Sequence, residues 1–160
     1  MAARHDWRWI SAGELLRNAG DPEITEMLKT GRLLPNEITN KLTLDAIGDD
    51  NDIILDGYPR NLNQAEALVG HIDVGSSIAI VLDLDAAEVE KRLALRQRME
   101  DDPEKIAYRI KLYNDTTQPI LDYLAKHGVI VEHVDGSGKP GVIHERIQEA
   151  LEKHKIAGPF

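Results

Sequence analysis

The sequence predicts an α/β domain built on parallel strands. Three observations carry this. Four short apolar runs, at 7–11, 53–55, 77–83 and 129–134, are spaced along the chain; helical patterns stand between them; and the run at 53–55 ends abruptly in the polar, Gly- and Pro-marked Asp56-Gly57-Tyr58-Pro59-Arg60. Ile53-Ile54-Leu55 therefore reads as a buried parallel strand whose C-terminal end delivers a carboxylate and a guanidinium into a loop. Open α/β sheets bind ligands at that edge.

Each element follows from its own stretch. Trp7-Arg8-Trp9-Ile10-Ser11 alternates and is aromatic-rich, as a short strand is. A helix opens at Ser11 and runs to Arg17, with Ser11 at the N-cap and Glu14 completing a capping box. Pro22 to Thr30 forms a helix stopped by Gly31; Pro35 restarts another, with Ile38, Leu42 and Ala46 on one face. Leu62 to Val69 is helical, and Ser77 to Asp83 is a strongly apolar strand. Asp85 then caps a helix that turns Val89 and Leu93 inward. Pro103 begins a long helix whose positions Ile106, Ile110, Tyr113, Thr117, Ile120 and Leu124 recur at alternating spacings of four and three, with Pro119 a place for it to bend. Val129 to Val134 is a strand, and Val142 to Glu152 is a last amphipathic helix through Ile143, Ile147 and Leu151. There is no repeat or low-complexity segment.

At 160 residues, 42% apolar and 29% charged, the chain fits one domain with a sizeable core. Its formal charge of −9 argues against broad electrostatic binding to nucleic acid or an acidic membrane, but a small phosphorylated ligand needs only a local cationic cluster. Zero cysteines remove disulfides, thiolate zinc sites and cysteine nucleophiles. The six histidines are scattered, without the four-residue helical spacing of a zinc pair. No apolar run approaches membrane-spanning length, and the N-terminus has no signal h-region, so a cytoplasmic protein is expected.

An Asp beside a Gly at a strand's carboxyl end can hold a hydrated Mg²⁺, because a hard cation prefers oxygen ligands and keeps several waters. Arg60, four residues on, can fork onto phosphate oxygens. A strand-ending turn with a solvated arginine accounts for the same letters equally well. Arg17 alone reads as a solvated helix residue. Arg92, Arg96 and Arg98 fall within seven residues, Arg92 and Arg96 on one helical stripe, and Arg109 stands on the next helix. Charge runs are usually solvated faces, but three guanidiniums so close in an acidic chain invite another reading.

Asp56-Gly57-Tyr58-Pro59-Arg60 followed by Gln64-Ala65 resembles the D-G-[FY]-P-R-x3-Q-A signature of adenylate kinases and related nucleoside monophosphate kinases. Ser11-Ala12-Gly13-Glu14-Leu15-Leu16-Arg17 is similar to the family's S-[TA]-G-[DE]-x-L-R, and Gly31-Arg32-Leu33-Leu34 to its G-[KR]-x-[VL] turn. Arg92-x3-Arg96, then Arg98-x-Glu100-Asp101, then Arg109 eleven residues later, resembles the arginine ladder flanking the family's lid. The resemblance covers nearly all 160 residues, with the motifs in the family's order.

It implies a P-loop-kinase-like, three-layer parallel sheet with helices on both faces, a small helical monophosphate-binding arm over about 12–48 and a vestigial lid at about 96–98. Asp56 would organise Mg²⁺ through water. Arg17 and Arg60 would clamp the monophosphate, Gln64 would read the adenine edge, and Ala12, Arg32, Leu34, Gly57 and Tyr58 would line that site. Arg92 and Arg96 would face ATP phosphates, while Arg98 and Arg109 would meet the transferring phosphoryl group and AMP; Arg96, Arg98 and Arg109 are the catalytic set. Such chemistry spreads charge over equatorial oxygens, so positioning and electrostatics suffice and no side-chain nucleophile is needed.

Two departures qualify the resemblance. Family members carry a lid segment between the residues matching Arg96 and Arg98, where this chain has Gln97 alone. A lid excludes water from ATP, so its near absence implies leaky or slow transfer. The family's first strand, the middle one of five, and its G-x4-G-K-[ST] phosphate loop would precede a helix ending near His5, and the expectation is that the chain begins after them. Gly136-Ser137-Gly138-Lys139-Pro140 is not that loop: His133 occupies the first glycine's place and Pro140 that of the Mg²⁺-binding hydroxyl. It follows the last strand, where the family has a lysine near the adenine of ATP, so Lys139 is an adenine-site contact or a turn residue. Without a middle strand, the strands at Ile53 and Ile78 would flank an empty slot. The expectation is a truncated reading of a longer gene starting upstream of Met1.

The reaction implied is Mg·ATP plus AMP giving two ADP, by a protein that is a monomer when full length and has no nucleic-acid or membrane partner. Two alternatives stand beside it. Ala12 and Arg60-Asn61 resemble UMP/CMP kinases, whereas Gln64 favours adenine because an amide pairs with its donor and acceptor edge. In the other, the chain is a nucleotide-binding module, or a remnant with little kinase activity, that still holds a monophosphate.

Overall fold

Strand β1 (Arg8–Ser11) pairs in parallel with β2 (Ile53–Asp56), Arg8 opposite Ile53 and Ser11 opposite Asp56. Strand β3 (Ile78–Asp83) pairs in parallel with β4 (Ile130–Asp135), Ile78 opposite Ile130 and Asp83 opposite Asp135. Parallel neighbours need long crossovers, and helices supply them. Between β1 and β2 run α1 (Ala12–Arg17), α2 (Pro22–Lys29) and α3 (Asn36–Ile47). Between β2 and β3 lie α4 (Leu62–Val69) and a 3₁₀ turn at Val74–Ser76. Helical residues 87–89 and 91–92, here α5, and α6 (Pro103–Lys126) join β3 to β4, and α7 (Pro140–Lys153) follows. The computed structural model describes residues 7–29, 34–50, 52–85, 87–89, 91–92 and 103–156, with the backbone alone at 103, 105, 106, 108, 109, 112 and 114. Gly31, Arg32, Leu33, Leu93, Arg96, Arg98 and the lid expected at 96–98 lie outside the described residues, as do the side chains of Ile106 and Arg109.

Among the described residues the strands form two two-stranded sheets, β1 with β2 and β3 with β4. This corrects the burial expected of the central run. Ile53, Ile54 and Leu55 are half-buried, as are Ile78, Ala79 and Ile80, and Leu82 is exposed. A strand laddered along one edge leaves its other edge and part of each side chain uncovered.

Among the described residues two apolar cores form, and α4 joins them. Ile10, Ala12, Ile47, Tyr58 and Leu68 are buried in the first. Ala65, Ile120, Leu124 and Val129 are buried in the second, with Val69, Val74, Ala79 and Tyr123 packed against it. Leu68 and the pair Ala65 and Val69 thus look in different directions from one short helix. Fully burying a side chain such as Leu68 or Leu124 contributes about 1.5–3 kcal/mol, so α4 is held from both sides. Its N-terminus is capped by Asn61, whose Oδ1 accepts from the Gln64 backbone N–H at 3.0 Å.

Arg8 ties β1 to the end of α3. Its Nη1 and Nη2 donate to the carbonyls of Ala46 at 2.6 Å and Ile47 at 2.8 Å, and its Nε donates to Asp50 Oδ2 at 3.0 Å. A cation satisfying the last carbonyls of a helix suits the negative end of its dipole.

Three local expectations are corrected. On α3 the buried line is Thr39, Thr43 and Ile47, and the neighbouring line of Ile38, Leu42 and Ala46 is half-buried. Threonine tolerates this because its hydroxyl can return to the chain, as Thr39 Oγ1 does to the Pro35 carbonyl at 3.3 Å. Ser11 sits at the N-cap of α1 but makes no side-chain cap: it is still the last residue of β1, with φ −102° and ψ 112°. Tyr113, expected inward, is 55% exposed, whereas Ile120 and Leu124 farther along the same helix are buried. Its phenol carries a polar tip that can reach water while the ring lies along the helix. Helix α6 continues through Pro119. The cap expected at Asp85 is present, its Oδ1 accepting from the Glu88 N–H at 2.8 Å.

Candidate functional site

Because β1 and β2 are parallel and in register through Ser11 and Asp56, both chains leave the sheet at the same edge. From β1 the chain enters α1, which ends in Arg17; from β2 it enters the loop Gly57 to Arg60. This edge therefore carries Ala12, Asp56, Gly57, Tyr58 and Arg60, with Arg17 at the far end of α1. Ala12 and Tyr58 are buried in the first core, while Arg17, Asp56 and Arg60 are exposed.

The loop after Asp56 is tightly specified. Gly57 has φ +78°, and a Cβ there would lie 2.9 Å from Arg60 Nη2. Arg60 folds back over it, Nε donating to the Gly57 carbonyl at 2.8 Å. The Tyr58-Pro59 peptide bond is cis. The Tyr58 hydroxyl donates to Asn40 Oδ1 on α3 at 2.8 Å, and burial pushes its pKa up to about 12, so it remains a donor. Asn40 Nδ2 in turn donates to Asn63 Oδ1 at 3.2 Å. On α1, a Cβ added to Gly13 would stand 3.2 Å from Arg17 Nη1, so the guanidinium lies along its own helix.

Gln64 is the buried polar group of this edge, at 2% exposure. Its Oε1 accepts from the Arg60 backbone N–H at 2.7 Å, and its Nε2 donates to Asn36 Oδ1 at 3.4 Å. The same Asn36 oxygen accepts from Asn61 Nδ2 at 2.9 Å. Asn36, Asn40 and Asn63 were not singled out in the sequence, and Asn61 was noted only with Arg60 as a likeness to UMP/CMP kinases. Asn36 and Asn40 stand one turn apart on α3 and Asn61 and Asn63 at the start of α4, so that they meet depends on α3 packing on α4.

A second group forms at the carboxyl edge of β3 and β4. Gly136 crosses the end of β3, its N–H donating to the Asp83 carbonyl at 2.9 Å, and a Cβ there would meet that oxygen and Leu82 Cβ at 3.2 Å. The turn carries Gly138 and the exposed Lys139 outward, and Arg92 Nη2 reaches the Gly138 carbonyl at 3.4 Å. Arg92 is also paired with Glu88, Nε to Oε1 at 2.7 Å, one helical turn back. Arg92 and the Lys139 turn are thus brought together. Leu34 is buried just before α3, Arg109 lies on α6, and Arg32, Arg96 and Arg98 lie outside the described residues.

The donor set suits a hydrated magnesium ion better than a caged metal. Asp56 offers exposed hard oxygens at a strand end, and among the described residues no three His, Cys, Asp or Glu side chains gather as a metal cage. Mg²⁺ dehydrates reluctantly and is held by one or two carboxylates, waters and substrate phosphates, which fits a lone Asp56.

Parallel strands end at one edge in the exposed Asp56, the Arg60 loop and the buried Gln64 amide, and the match to a kinase family sets the class as that of the nucleoside monophosphate kinases. The adenylate kinase family model matches residues 1–129. The chain is 33% identical to an adenylate kinase of Encephalitozoon cuniculi over 95% of its own length and 88% of that protein's. It is 34% identical to one of Thermobifida fusca, over 89% of this chain and 83% of the relative, and 35% identical to one of Xanthomonas campestris, over 89% and 84%. The chain belongs to the adenylate kinase family. By that membership it is a kinase, a transferase that binds nucleotides, ATP among them. No helix among the described residues is long and apolar enough to cross a membrane.

Proposed function

We propose that the protein transfers a phosphoryl group from Mg·ATP to AMP, giving two ADP. The observation that carries this reading is the edge where Arg60, with an exposed guanidinium, stands beside the buried, oriented amide of Gln64. A phosphate and a base are the two ends of one nucleotide, and these side chains suit one end each. The names of the relatives support the same acceptor.

In this reading Arg17 and Arg60 hold the AMP phosphate and Gln64 meets the adenine edge, within a pocket formed by Ala12, Arg32, Leu34, Gly57 and Tyr58. The helices α1, α2 and α3 are the arm that closes on it. Arg92 and Arg96 hold ATP phosphates, and Lys139 lies by the ATP adenine. Arg98 and Arg109 neutralise charge on the group in transit and on the acceptor phosphate. An oxygen of the AMP phosphate attacks the γ-phosphorus of ATP, the bond to the β-phosphate oxygen breaks, and ADP leaves carrying that oxygen's charge. Asp56 holds the magnesium ion through its waters, and the ion when bound neutralises charge on the ATP phosphates.

The acceptor is tested by measuring ADP formation from Mg·ATP with AMP, CMP and UMP as competing acceptors. AMP should be used in preference to both pyrimidines. Preference for CMP or UMP would overturn the assignment of Gln64 to adenine and favour the pyrimidine reading suggested by Ala12 and Asn61.

A further inference from the structure

An amide that reads a base has to be kept from turning over, because its oxygen and nitrogen ends are nearly the same shape. The orientation matters chemically. Adenine and cytosine present an exocyclic N–H donor beside a ring-nitrogen acceptor; guanine and uracil present an exocyclic oxygen acceptor beside a ring N–H donor. An amide held one way pairs with the first kind, and the same amide turned over pairs with the second.

Around Gln64 the orientation is determined by two groups that can only donate, the backbone N–H of Arg60 and that of Gln64 itself. The first requires an acceptor and receives Gln64 Oε1 at 2.7 Å. The second receives Asn61 Oδ1 at 3.0 Å, which turns Asn61 Nδ2 toward Asn36 Oδ1 at 2.9 Å. That oxygen therefore faces the network and accepts Gln64 Nε2 at 3.4 Å. Turning Gln64 over would set its NH₂ against the Arg60 N–H and its oxygen against the Asn36 oxygen, losing both bonds in a residue 2% exposed. Buried groups deprived of partners make such a flip unfavourable.

We propose that Asn36 is a specificity-determining positioning residue: with Asn61 it locks the Gln64 amide in the orientation that accepts amino-bearing bases and refuses oxo-bearing ones. The proposal rests on Gln64 as the base contact and adds the residue that decides which base chemistry it takes. Asn36 itself need not touch the nucleotide. The lock separates amino-bearing from oxo-bearing bases and not purine from pyrimidine, so the informative comparisons are AMP against GMP and CMP against UMP.

The test is calorimetric titration of the whole chain, and of its Asn36→Leu and Asn36→Asp variants, with AMP and with GMP. Leucine keeps the volume and removes the acceptor, so the ratio of AMP to GMP affinity should narrow about tenfold, the equivalent of one amide hydrogen bond. Aspartate keeps the acceptor, so the ratio should stay at its wild-type value even if both affinities shift. Should Asn36→Leu melt before it can be titrated, Asn36→Ala reads the same ratio. A folded variant lacking the acceptor whose two affinities fall equally shows a merely structural role and overturns the proposal. Wild-type protein that binds neither nucleotide refutes the reading of the site itself, a result distinct from an unchanged ratio, and removes this proposal with it.

Discussion

The hydroxyl of Tyr58 donates to Asn40 Oδ1 at 2.8 Å, joining the loop after β2 to the middle of α3. Its ring is buried in the first core, and the bond fixes α3 to the loop that carries Arg60. Tyr58→Phe keeps the ring and leaves Asn40 with its bond to Asn63, so stability should fall by about 0.5–1.5 kcal/mol, read as a lower denaturant midpoint at constant slope.

The same residue shapes the alkaline limit. Burial raises its folded pKa from 10.0 to about 12, so its contribution is fully present below pH 10 and is lost as pH rises toward 12, where the unfolded chain ionises first. Unfolding measured across that interval should be less steep in Tyr58→Phe. An identical slope would show that the phenol is not held neutral by the fold.

At the acid limit Glu132 plays the opposite part. It joins β4 to the end of α7, Oε1 accepting from Lys153 Nζ and Oε2 from His154 Nε2, both at 2.7 Å. The Lys153 hydrogen bond, then the His154 one, holds its carboxyl below the ordinary value of 4.5. That stabilisation is present above the ordinary value and disappears as pH falls through the lowered one. Glu132→Gln should therefore weaken the acid dependence of the denaturant midpoint in the carboxylate range, and a variant with the wild-type dependence would contradict the latch.

Leu124 tests the junction of the two cores. It is buried with Ala65 of α4, Ile120 and Val129. Leu124→Ala should cost about 2–5 kcal/mol in denaturant unfolding, the range for emptying a packed leucine site. A loss well below that would mean α4 and α6 are not packed as described.

Much of this was legible because period and punctuation act locally. The runs at 53–55, 77–83 and 129–134 are β-branched and apolar, and Gly, Pro and Asp end them, so the strands and most helices fall where those residues direct. The Asp56 to Gln64 stretch identified its own edge in the same way. Tertiary packing supplied what the letters could not. Thr39 and Thr43 look polar, yet one hydroxyl satisfied by the chain makes burial cheap on α3. Tyr113 continues an apolar spacing, yet it stands 55% exposed on α6. The half-burial of Ile53 to Leu55 follows from ladder partners on one side, a property of the sheet rather than of the run. Asn36, which completes the network around Gln64, lies 25 residues from Asn61 and 28 from Gln64, beyond any local rule.

The central claim is that Arg60 and its neighbours at the carboxyl edge of β1 and β2 receive a nucleoside monophosphate. Calorimetric titration of AMP into the wild-type chain and its Arg60→Ala variant tests it most directly. The account predicts a loss of about 1.5–3 kcal/mol in binding, the range for a hydrogen bond to a charged group. An AMP affinity unchanged by the substitution would contradict it.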